Sequence, residues 1–84
     1  MSGTETPRGF GIQVLSPPNF EDLIAEVLQD DELVFQISQE EGFDRMRIEI
    51  QSRQSGEPWT FALSDFQSVL DRAIRRLHEL RRAT

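Results

Sequence analysis

Between Phe66 and Leu80 apolar residues return at helical spacing: Phe66, Val69, Leu70, Ala73, Ile74, Leu77 and Leu80. At 100° per residue they fall within an arc of about 140°, so the spacing predicts a helix over 65–82 with one apolar face along its length. A stripe that wide must be covered by a second apolar layer. Ser64 stands where an N-cap is wanted, with Gln67 at the matching capping-box position. Arg72, Arg75, Glu79 and Arg82 take the far side, and Asp71 and Arg75 form an i,i+4 pair.

Candidate cover lies immediately upstream. Leu33, Phe35 and Ile37 alternate with Val34, Gln36 and Ser38, and Met46, Ile48 and Ile50 alternate with Arg45, Arg47, Glu49 and Gln51. Trp59, Phe61 and Leu63 alternate with Thr60 and Ala62. Three strands with one apolar and one polar face read as an antiparallel meander covered on one side. Pro58 confines the third to an edge or to a strand start. A hairpin loop at Glu41 to Asp44 sets Ile37 opposite Ile48 and Phe35 opposite Ile50, both pairs inward. The same register puts Glu40 across from Arg45 and Glu32 across from Arg53.

Before the meander, Phe20, Leu23, Ile24, Val27 and Leu28 recur at helical spacing after Asn19, a good N-cap, while Asp30 and Asp31 suit a helix stop. These features predict a first helix over 20–30. Phe10, Ile12 and Val14 alternate as a short further strand would, ended by Pro17 and Pro18. Met1 to Arg8 reads as a flexible tail, leaving residues 9–84 as a single domain. The expected fold class is therefore α+β: a two-layer sandwich of order (β)αβββα. Its three-stranded antiparallel meander, with or without the N-terminal segment as a fourth strand, is covered on one face by two helices.

Residue types narrow the chemistry. The 84 residues include no Cys, no Lys and no Tyr, so thiol, Schiff-base and tyrosine acid chemistry are absent. The αβββα order resembles, in topology, the double-stranded RNA-binding domain, which would imply a phosphate-binding last helix. Here that helix opens Ser64-Asp65 and no residue is carried across, so nucleic acid is disfavoured. Asp30-Asp31-Glu32 and Glu40-Glu41-Gly42-Phe43-Asp44 lack the alternating pattern of a calcium loop and read as solvated acids. His78 is the one histidine and has no readable orienting partner, so no catalytic residue is assigned. No metal and no cofactor is expected, and no apolar run suits a membrane or a secretory peptide.

Charge is unevenly divided. Residues 1–44 carry ten acids against Arg8, and residues 45–84 carry eight Arg against five acids, within a net charge of −6. Either the halves pair within the fold, or one face meets a charged partner. Candidate contacts are Phe43, an aromatic in a polar loop; Glu21, Asp22 and Glu26 on the first helix; and Arg72 and Arg75 on the last. The expectation is a non-enzymatic protein-interaction domain of a bacterial cytoplasm, binding another protein or itself. Self-association would use a strand edge or the last helix. The alternative is an acidic inhibitor or immunity-type protein that occludes a basic toxin or nuclease with acids of the first helix.

Overall fold

Asp30 and Asp31 have φ of 50° and 70° in the computed structural model, which describes residues 7–83. Two consecutive left-handed residues form a type I′ turn, whose twist suits a two-residue hairpin, and Asp tolerates that region better than most side chains. The chain therefore reverses between Gln29 and Glu32, which face each other across a ladder. The segments on either side become strands β2 (Ile24–Gln29) and β3 (Glu32–Ser38). The expected first helix is thus corrected to a strand. Its helical look has a physical cause: Ile24, Ala25 and Val27 are all buried in a central strand, and apolar residues on both of its faces blur the two-residue period. Asp31→Gly should remove the left-handed strain and raise stability by about 0.5–1 kcal/mol, read as a melting-temperature rise of a few degrees.

The sheet is a four-stranded antiparallel meander in the order β1-β2-β3-β4, with β1 at Phe10–Leu15 and β4 at Arg47–Ile50. The N-terminal alternation is a full strand, pairing with β2 from Phe10 opposite Gln29 to Leu15 opposite Ile24. Between β3 and β4 the register is the expected one, Phe35 opposite Ile50 and Ile37 opposite Ile48. The connection runs longer than expected, over 39–46, and contains a 3-10 turn at Phe43–Arg45. The predicted tail falls, for residues 1–6, outside the described residues.

Beside the pair Val27–Phe35 stands the pair Leu28–Leu33, which leaves Val34 without an opposite residue. This β-bulge shifts the phase of β3, because an extra residue turns two successive side chains toward one side. Val34 and Phe35 are accordingly both in the core, at 1% and 0% exposure. The expectation that Val34 faces outward is corrected. Leu33, expected inward, is half-buried.

No third meander strand forms at 59–63. Residues 51–62 instead make an irregular connector from β4 to the helix. Gln51 N–H donates to Val34 O at 2.8 Å, and the Trp59 indole N–H donates to Gln51 O at 3.0 Å. Trp59 and Phe61 turn inward and stack at 5.5 Å, while Phe61 lies 5.1 Å from Phe10 and 6.0 Å from Phe66. Aromatic burial, rather than a ladder, thus fixes this stretch. Its alternation was real, except that Leu63 is 71% exposed.

Helix α1 (Leu63–Ala83) closes the chain. It begins ahead of Ser64, since Phe66 N–H already donates to Ala62 O at 3.1 Å, so Ser64 lies inside the first turn and is not the cap. Val69, Ala73 and Leu77 are fully buried, in one cluster with Ala25, Val27, Val34, Phe35 and Ile37. Phe66, Leu70 and Ile74 flank them, half-buried. The molecule is therefore α+β with four strands and one helix, where two helices and three strands were expected. Without a first helix, the topological resemblance to the RNA-binding domain falls away.

Candidate functional site

A single helix, about 10–12 Å across with its side chains, spans little more than two strands spaced 4.8 Å apart. Here α1 lies against β2 and β1. The outer strand on the other side, β4, is left with little cover. Ile48 and Ile50 are cross-strand neighbours of Ile37 and Phe35 and so share their sheet face, yet they stand 45% and 64% exposed while Ile37 and Phe35 are buried. The expectation that Ile48 and Ile50 point inward is right about the face and wrong about burial. The second helix that would have covered them is strand β2.

The result is an apolar groove between β4 and α1. Its floor and walls come from Ile37, Met46, Ile48, Leu70 and Ile74, with Arg47 at the rim, around a cavity of about 170 Å³. Beside it runs a free strand edge. An exposed apolar strip on an edge strand is the kind of surface that natural monomers blunt with charge or cover. Here the only charges on the strand are Arg47 and Glu49, which belong to the opposite face.

That opposite face is polar and ordered in register. Gln13, Glu26, Gln36 and Glu49 form one row across all four strands. Gln13 Nε2 donates to Glu26 Oε1 at 2.8 Å, and Gln36 Nε2 donates to Glu49 Oε1 at 3.3 Å. A row of alternating amide and carboxylate presents negative charge and no stacking platform, so phosphate is poorly suited to it.

The candidates named from sequence are scattered. Glu21 and Asp22 are exposed in the β1–β2 loop, where their backbone N–H groups donate to the Glu40 carboxylate at 2.9–3.1 Å. Gln39, 1% exposed, anchors the same loop by donating to Leu23 O at 3.0 Å. Glu26 lies on the polar sheet face, so these three acids share no helix face. Arg72 and Arg75 line, with Arg76 and Glu79, a shallow depression of about 230 Å³ on α1. Phe43 belongs by its backbone to the 3-10 turn, and its side chain lies outside the described residues. Neither expected charge pair forms. Glu40 is taken by the loop amides, Glu32 accepts from Gln54 N–H, and Arg53 sits 5.0 Å over the Trp59 ring and 3.9 Å from Glu57. Arg47 instead reaches Glu41 at 3.3 Å.

Sequence reasoning missed Ile48 and Ile50 as surface residues. The signal was the Asp30-Asp31 pair between two apolar runs, which read as a hairpin turn would have removed one helix and with it the cover. Among the described residues no group of three or more His, Cys, Asp and Glu side chains could hold a metal ion, and no helix is long and apolar enough to cross a membrane. No protein-family model, curated protein or solved structure matches the chain.

Proposed function

We propose that this chain is a small, non-enzymatic protein-interaction domain that docks a protein through β4 and the adjoining side of α1. The observation that carries the reading is the pair Ile48 and Ile50, exposed on an unpaired edge next to an apolar groove. Edge strands of this kind take up an added strand, with main-chain hydrogen bonds supplying affinity and side-chain pockets supplying selectivity. A bacterial cytoplasmic setting accords with an all-arginine cation set and the lack of cysteine. The inhibitor reading relied on acids gathered along one helix. Glu21, Asp22 and Glu26 lie instead on a loop and a sheet face, which leaves that reading without its contact surface.

A photo-crosslinking residue at position 50 tests the proposal in cells that make the protein. Covalent protein adducts should form there, and a probe at position 13 on the polar face should give few. Equal yields at the two positions, or none at position 50, would overturn the assignment.

A further inference from the structure

The proposed docking surface leaves open what docks, and the edge of β4 itself answers this. Resting on that reading, we infer that the occupant is a second copy of this chain, paired antiparallel through β4 about a two-fold axis at Ile48.

The first ground is hydrogen-bond phase. Gln51 N–H donates to Val34 O, and β4 runs in register with β3 from there back to Arg47. In an antiparallel ladder, residues turn their backbone groups alternately toward one neighbour and the other. Arg47, Glu49 and Gln51 therefore face β3, while Met46, Ile48 and Ile50 present N–H and C=O groups to the free edge. A pairing centred on Ile48 sets Ile48 against Ile48 of the second copy, and Met46 against its Ile50. All of these are residues with outward groups, so the ladder is complete without a shift.

Charge supplies the second ground. The same register sets Arg47 opposite Glu49 of the second copy and Glu49 opposite its Arg47, at the positions where cross-strand side chains come closest. The segment Arg47-Ile48-Glu49 is thus its own complement under a two-fold axis, as an isologous interface demands. Slipping the register by one residue would put Arg47 opposite Ile50 and Ile48 opposite Glu49, facing the wrong backbone groups to each other. The third ground is apolar. With the axis normal to the sheet, the two Met46-Ile48-Ile50 rows lie side by side on the same face, flanked by Leu70 and Ile74 of each copy. The other edge, β1, offers none of this, because it carries no charge and its Phe10, Ile12 and Val14 already pack against the core.

Sedimentation over a concentration series tests the register through charge exchange. Arg47 and Glu49 are both exposed, so the variants should keep the native circular dichroism. The expected result is a reversible dimer for the parent chain and about tenfold weaker association for Arg47→Glu or Glu49→Arg, each of which sets like charges opposite one another twice. The double variant, Arg47→Glu with Glu49→Arg, should recover the dimer. Because the chain has no cysteine, Arg47→Cys with Glu49→Cys should also give a disulfide-linked dimer on oxidation, the paired Cα atoms standing about 4.5 Å apart. A parent chain that stays monomeric at millimolar concentration, or a double variant as weak as the single ones, would overturn the inference. If crosslinks from position 50 then reach only foreign proteins, the self-pairing fails while the interaction reading stands. If no adducts form there, both fail.

Discussion

Phe35→Ala is expected to remove about a quarter or more of the chain's stability. Phe35 is wholly buried, pairs across the sheet with Val27 and Ile50, and lies 5.4 Å from Phe66 of α1. It joins the central strands to the helix at the middle of the core. Truncating a buried phenylalanine costs about 3–5 kcal/mol. A chain of this length has about 4–13 kcal/mol in total. Urea unfolding followed by circular dichroism should show the midpoint falling by about a quarter at the least. The control is Ile50→Ala, at the directly opposite position on the same sheet face. Ile50 is 64% exposed, and its truncation should cost under about 1 kcal/mol. Equal losses at the two positions would mean that the β4 strip is core after all, and the proposed docking surface would go with it.

Lysine at position 34 should be still more damaging. Val34, the bulge residue, is 1% exposed within the cluster that includes Val69, Ala73 and Leu77. An unpaired ammonium there costs several kcal/mol after any relaxation, enough to unfold a domain with so small a reserve. Leu33→Lys is the matched comparison, because Leu33 is half-buried and a lysine there can carry its charge to solvent along its own methylenes. Strict alternation along β3 predicts the reverse order, Leu33 intolerant and Val34 tolerant. Thermal melts of the two variants decide between a bulged and a regular β3, and a more stable Val34→Lys would sink the bulge.

The misread first helix and the misread burial of Ile48 and Ile50 share a cause, and the consequences run into the functional reading. Apolar residues at 20, 23, 24, 27 and 28 satisfy a helical period, yet a central strand with apolar residues on both faces accounts for 24, 27 and 28 equally well. Local spacing alone cannot separate these. The deciding residues, Asp30 and Asp31, are weak in a helix interior and acceptable in a left-handed turn, so they end a helix or close a hairpin equally well. Once the segment is a strand, one helix must serve four strands, and the Met46-Ile48-Ile50 row loses its cover. The docking surface is therefore a product of topology. It was invisible while β4 was read as core.

What the sequence determined by itself was what depends on neighbours along the chain. The α1 stripe from Phe66 to Leu77 packs as its period requires, and the alternation at 10–15 is a strand. The β3–β4 register holds as well, because a slip by one residue would turn every side chain of a strand to the wrong face. Tertiary structure decided the rest: the strand identity of Ile24–Gln29, the bulge that drew Val34 inward, the ladder-free path of Trp59 and Phe61, and the exposure of Ile48 and Ile50. Each of these depends on which segments compete for one apolar face. That competition is settled by the area a helix can cover and the backbone groups a strand must pair, and neither quantity is carried by any single stretch of residues.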